Sequence, residues 1–491
     1  MIEISIDVYD QRVHRDLILN YTDIMNVTNV FFRMAVLMMA LMVQILSACS
    51  ESNDNQPSSR TYYIDSRNGN DSDNGLTPES AWRTLERVEK NKFHPGDTIK
   101  FKRGSSFSSS LCIKDSGSPD NYIVLTDYGD EQSLHSPAFT NNEFVPALDK
   151  YGNCIRLKGD FIKVENLYFH NTVAELSGNI GFKKMWELGA VYIDKSANNC
   201  IVSNNEFFDC GVGIKSYGKN TVIHNNYIHD CNRILKEWGW GPIAIWLGGD
   251  YQEVCHNRIF NYSVVDPRIN WGPNSYGGGA DGGAIEIDDA RFPKSNISIH
   301  HNYSRDCQGF IEVTWSDVAQ NPPYSGFRIH HNVSDDYQQF IALWCGKECR
   351  IENNTIIRRK VNANDWGVFN ITQYNSKNLI RNNIVVVENE VVIFNLGKNG
   401  NAQPSTIIEC NLYYAASGNL NIGLEGPGLD PVFEDPKFFN YDAAENANDF
   451  SITALSPAID RGLSLGYTED FLGVGIPQGS MPDIGAFEYR K

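Results

Sequence analysis

Three carboxylates stand out by type and spacing: Glu286 and Asp288 in the run AIEID (284–288), and Glu312 in FIEVT (310–314). Each glutamate lies between two aliphatics, Ile285 and Ile287 in one run, Ile311 and Val313 in the other. Side chains alternate faces along a strand, so on one sheet the aliphatics enter a core and both glutamates leave it on the same side. On neighbouring strands they stack about 5 Å apart. Carboxyls so placed suit glycoside hydrolysis, where one protonates the leaving oxygen and the other attacks or activates water. Crowded like charges also raise the pKa of one partner, as an acid catalyst requires. Exposed acids are ordinary on a solvated sheet face, but directly stacked like charges are destabilising. Nothing basic in the aligned column neutralises Glu286 and Glu312. Asp281, in GGGADGG, is a further acid candidate.

Holding these groups takes a repeat. Short β-rich runs end in asparagine again and again: KVENLYF (163–169), IVSNNEF (201–207), VIHNNYI (222–228), VCHNRIF (254–260), SIHHNYS (298–304), RIHHNVS (328–334), RIENNTI (350–356) and LIRNNIV (379–385). Asn205 to Asn226 is 21 residues and Asn332 to Asn354 is 22, the length of one coil of three short strands. The asparagines are expected to stack as a ladder at a tight, left-handed bend. With that bend as reference, the first strands of the coils align and present two outward columns. The first reads Arg156, Tyr192, Lys215, Ala244, Glu286, Glu312, Ala342, Asn370, Asn395, and the second Lys158, Asp194, Tyr217, Trp246, Asp288, Thr314, Trp344, Thr372, Gly397. Trp246 and Trp344 thus flank Asp288, where aromatic faces stack on sugar rings. Long insertions around 232–241, 264–283 and 316–326 are expected to wall a groove there, adding Trp238, Trp240, Trp271 and Tyr276. The paired histidines 300–301 and 330–331 flank the ladder instead and are expected to form a surface stack.

A net charge of −18 over 491 residues argues against nucleic acid as a partner. The 13-residue apolar run 34–46 after Arg33 is too short to span a bilayer and has signal-peptide proportions. It ends in Leu46-Ser47-Ala48-Cys49, which resembles the lipobox of bacterial lipoproteins, with Cys49 as the lipidated residue. Residues 1–24 are unlike an n-region, which points to Met25 as the start. The acidic tether after Cys49 resembles surface-export signals of Gram-negative lipoproteins, so an outer-membrane or cell-surface location is expected. Of the ten other cysteines, Cys345 and Cys349 (CGKEC) suit a small disulfide loop, and Cys210, Cys231 and Cys307 a buried column of thiols.

The opening cap (TYYIDSRNGNDSDNGLTP, with a short helix at 81–90 capped by Ser80), the asparagine coils, and the closing strings LSPAIDRG (455–462) and PDIGAFEY (482–489) together resemble the pectin-lyase-like superfamily. The resemblance implies an all-β, right-handed parallel β-helix. Its expected divisions are a signal peptide 1–48, a lipidated tether 49–60, an N-terminal cap with first coils 61–150, the β-helix 151–415 and a C-terminal cap 416–491. It also implies action on glycans, and a monomer is expected. A glycoside hydrolase using Glu286, Asp288, Glu312 or Asp281 and no cofactor is the leading expectation, with Trp246, Trp344, Trp271, Tyr276, Lys215 and Trp240 binding substrate. The second is a polysaccharide lyase in which Glu286, Asp288 and Glu312 hold Ca2+ and Lys215 or Arg258 is the base. The third is a glycan-binding β-helix without catalysis.

Overall fold

The computed structural model describes residues 59–490, apart from 131–134, 173–186, 232–240, 264–282, 290, 293, 314–323, 360–366, 372–374, 389–390, 397–404, 424 and 444. The leader, Cys49 and nearly all of the tether therefore lie outside the described residues, as do Asp281, Trp238, Trp240, Trp271 and Tyr276.

Among the described residues the chain winds through three parallel sheets of ten, twelve and eleven strands, visiting each once per coil. Strands form where apolar and polar residues alternate, because one side of each coil faces the shared interior. In the second sheet Val202, Ile223, Val254, Ile299, Ile329, Ile351 and Ile380 stack in register, all without exposed surface. In the first sheet Ile155, Val191, Ile214, Ile245, Ile285, Ile311, Ile341, Phe369 and Phe394 form the matching column. Each such side chain contributes about 1.5–3 kcal/mol of burial.

The asparagine ladder runs unbroken through Asn205, Asn226, Asn257, Asn302, Asn332, Asn354, Asn383 and Asn411. Asn302 is typical. Its Nδ2 donates to Asn332 Oδ1 at 3.0 Å and to Val254 O at 2.9 Å, while its Oδ1 accepts from the backbone N and Nδ2 of Asn257, both at 3.0 Å. The left-handed residue is not the ladder asparagine, as expected, but the one before it: Asn225, His256, His301, His331 and Asn353 have φ of 55°, 56°, 55°, 49° and 52°. The ladder side chain needs the bend made just ahead of it in order to point inward.

Three further expectations are revised. The N-terminal helix is shorter, Leu85–Glu89, and its cap is Thr84, whose side chain accepts from Arg87 N; Ser80 instead ends a separate turn, Pro78–Ser80, capped by Thr77. Cys345 and Cys349 are thiols, as are the other described cysteines, so the small disulfide loop is not made. Cys210, Cys231 and Cys307 are buried, and Tyr262 pairs with Cys231 at the strand level between them. The C-terminal segment does more than close the last coil. Val432 pairs there with Leu412, but the chain then returns along the helix flank. Tyr467 lies against His330 (ring centroids 4.4 Å apart) and donates to Glu352 at 2.7 Å, His301 contacts Asp470 O at 3.0 Å, and Ala486 N donates to Thr355 Oγ1 at 3.0 Å.

Replacing Asn302 by Ala removes an acceptor from two buried donors and a donor from three acceptors. Leaving such groups unsatisfied costs about 1–3 kcal/mol each, so Asn302→Ala should lower the denaturation midpoint by the equivalent of about 2–4 kcal/mol. A loss below about 0.5 kcal/mol in urea unfolding would show that the ladder follows the coils rather than holding them.

Candidate functional site on the first sheet

Parallel pairing places Glu286 directly beside Glu312, with Ile285 beside Ile311 and Ile287 beside Val313. Both aliphatic pairs are buried, so the glutamates share the outer face; Glu286 is 5% exposed and Glu312 half-buried. Neighbouring strands are about 4.8 Å apart, which sets the spacing of the two backbones. Asp288 follows on the same face, 6% exposed.

The strand before this pair is out of step with its expected alignment. Trp246, not Ala244, pairs with Glu286, and Lys215 pairs with Trp246. Ala244 instead belongs to the core. The outward column therefore reads Arg156, Tyr192, Lys215, Trp246, Glu286, Glu312: cation, ring, cation, ring, then two anions. Gly248 takes the place in the second column that had been given to Trp246. A Cβ there would come within 2.5 Å of the Tyr217 ring, so glycine lets that ring lie across the strand. Trp344 stays in the Asp288 column and is half-buried.

Trp246 has no exposed surface, and Lys215 Nζ stands 3.0 Å from its ring centroid. This corrects the assignment of Trp246 as a stacking platform for sugar, since its face receives the Lys215 ammonium. Lys215 is itself fully buried, so it does not meet substrate as an exposed cation. Burial lowers its pKa to about 7, against the pull of Asp288 first, then Glu286 and Asp289. A second buried lysine, Lys294, faces the same carboxylates. Its pKa falls to about 8 through burial, opposed mainly by Asp288 and Asp289. Its Nζ donates to Asp289 O at 2.6 Å and Phe292 O at 3.0 Å. The expectation that nothing basic in the aligned column neutralises the acids is revised: Lys215, in that column, and Lys294, in the link after the strand, are both drawn to Asp288.

Asp289 is the hub beneath. It has φ of 80°, unusual for a residue with a side chain, and no exposed surface. Tyr217 Oη donates to its Oδ2 at 2.9 Å, and Arg291 pairs with both of its oxygens. Burial opposes its ionisation, but the bonds from Arg291 and Tyr217 outweigh that and hold its pKa below the usual carboxylate range. The bend at Asp289 turns the chain so that its own backbone N–H donates to Asp288 Oδ1. Sequence reasoning did not single out Asp289, Arg291 or Lys294, although the string DDARFPK (288–294) concentrates charge just after the strand. Arg258, the other base candidate, lies in a different sheet, with its guanidinium 5.1 Å from the Tyr227 and Phe260 rings.

Residues 153–356 match the family model described as "Right handed beta helix region". With the coil topology, this defines a right-handed parallel β-helix. The structure of XylC in complex with xylose superposes with a TM-score of 0.55 at 13% identity, covering 88% of this chain and 98% of that one. Pectate lyase Pel9A gives 0.51 at 16% identity, covering 88% and 97%. At these identities the likeness is one of fold. A stretch of 77 residues is 35% identical to lacto-N-biosidase of Bifidobacterium longum subsp. longum; it spans 15% of this chain and 5% of that protein.

Lys215 binds its proton less readily folded than unfolded, where its pKa is about 10.4. Below about pH 7 both states are protonated and the penalty for burying the charge is complete. Between about pH 7 and 10 the unfolded chain holds more protons, so stability should rise with pH over that window. Lys215→Met should flatten this rise in denaturation series at pH 6 to 9.5. An unchanged slope would show that Lys215 is not the group responsible.

Proposed function

We propose that the chain is a carbohydrate-active enzyme, a glycoside hydrolase acting through Asp288 and Glu312 with Glu286 between them in space. The observation that carries this reading is the register pairing of Glu286 with Glu312 on the outer face, next to Asp288 and two buried lysines. The lysines exert their strongest carboxylate attraction on Asp288, which suits an anion that attacks the anomeric carbon or activates water. Glu312, half-buried and one strand further from them, suits the acid that gives its proton to the leaving glycosidic oxygen. One strand spacing across and two residues along is compatible with either stereochemical outcome. The folds of XylC and pectate lyase Pel9A, with the short stretch similar to lacto-N-biosidase, support action on carbohydrate without favouring one reaction. Trp344 lies two rungs from Asp288 in the same column; the expected contributions of Asp281, Trp240, Trp271 and Tyr276 fall in segments outside the described residues.

A panel of plant, algal and host glycans should yield new reducing ends without unsaturated, ultraviolet-absorbing products. Asp288→Asn and Glu312→Gln should each lower turnover about 10²–10⁴-fold with near-ultraviolet dichroism unchanged. Glu286→Gln should cost less. Wild-type rates in both of the first two variants would sink the assignment, and binding without any product would point to a glycan-binding helix instead.

One observation favours a second reading, β-elimination from a uronic-acid polymer: a lysine with a pKa near 7 is a competent base. Glu286, Asp288 and Glu312 would then hold Ca2+ as hard oxygen ligands. Against it, Lys215 is covered by Trp246 and has no surface from which to reach a substrate proton. Unsaturated products whose formation stops with a chelator would establish the lyase.

The leader and Cys49 support export and lipid anchoring at the outer membrane or cell surface. Labelled fatty acid should enter the wild-type chain expressed in a Gram-negative host and be absent from Cys49→Ser. Equal labelling of the two would exclude Cys49 as the acceptor.

A further inference from the structure

The second sheet carries a different set of chemical groups on its outer face. Its outward column reads His224, Cys255, His300, His330, in register strand by strand. The left-handed bend that follows adds a parallel column, His256, His301, His331. Their rings stack, His256 on His301 at 5.0 Å and His300 on His330 at 4.9 Å. The C-terminal return covers part of this array, with Tyr467 against His330 and His331 and Phe471 against His301. The covered histidines are held neutral: burial, then neighbouring histidines, lowers His301 to about 3 and lowers His331 as well. A purely structural stack accounts for those residues. It does not account for the other end of the array.

There, one ligand atom each from Cys255, His256 and His300 lie within 4.8 Å of one another. Glu253 joins them, since its Oε1 lies 3.2 Å from His300 Nε2 and 3.6 Å from Cys255 Sγ. A thiol, two imidazoles and a carboxylate thus converge from two adjacent strands and the bend between them. We propose that Glu253, Cys255, His256 and His300 form a binding site for a borderline divalent cation, Zn2+ by their chemistry. Tetrahedral zinc takes such a mixed S, N and O set, with ligand atoms roughly 3.5 Å apart, so a modest contraction of these side chains completes the shell. Softer and harder cations are disfavoured by the mixture: Ca2+ and Mg2+ want oxygen alone, and Cu+ wants sulfur. Binding releases the Sγ proton to solvent as the S–metal bond forms. The ion would bridge the strands Glu253–Cys255 and Ser298–His300, the two levels between which the chain makes its excursion to Glu286 and Asp288. It sits on a different sheet from those acids, so it stands apart from the proposed hydrolysis.

The test is a titration of the intact, chelator-treated protein with Co2+, followed by displacement with Zn2+. A thiolate-to-Co2+ charge-transfer band should grow to saturation at one equivalent and disappear on adding Zn2+. Cys255→Ser should abolish the band, and His256→Ala and His300→Ala should each weaken binding at least tenfold. His256 is exposed, so its variant also serves if Cys255→Ser fails to fold. Absence of saturable binding, a band that survives in Cys255→Ser, or unchanged affinity in His256→Ala would each overturn the site.

Discussion

Stacking one coil on the next, residue upon residue, requires every bend to return the chain to the same height and phase. Backbone pairing alone tolerates slippage, and a slip of one residue would turn each aliphatic outward. The asparagine ladder removes that freedom: each side chain bonds backbone of the preceding coil and the ladder side chain of the next, so coil length may vary only outside the bend. That constraint lets distant parts of the sequence act as neighbours. Lys215, Trp246, Glu286 and Glu312 span almost a hundred residues of chain yet occupy four consecutive rungs.

What could be read from the sequence follows from this. The ladder asparagines and the alternation around Glu286 and Glu312 are local signals repeated many times, so the fold, and the pairing of those two glutamates, were legible. IAIWL (243–247) was not, because it is apolar at every position and so offers alternation no phase to detect. Sliding it by two residues moved Trp246 into the wrong column and hid its contact with Lys215. Lys294 and Asp289 were missed for another reason. They lie in a link after the strand, where no periodicity applies; Asp289 adjoins Asp288, and only the fold of the link turns Lys294 back to it.

The charge arrangement around Asp288 is a balance that neither side could keep alone. Two buried lysines without the carboxylates would lose their protons, and the carboxylates without the lysines would face mutual repulsion in a poorly hydrated site. The Trp246 ring between Lys215 and Glu286 separates the charges by one rung while favouring the ammonium through its face. Arg291 and Tyr217, by fixing Asp289, anchor the turn from which Asp288 projects.

The return of the C-terminal segment changes the kind of object this is. A solenoid whose coils touch only their neighbours is a one-dimensional system that can fray from either end, rung by rung. Here residues 463–485 reach back across four successive bends, at His301, His331, Asn353 and Asn382. They act as a strap across the grain of the stack. Unwinding the coils beneath this strap must first peel it away, which ties their opening together across the stack.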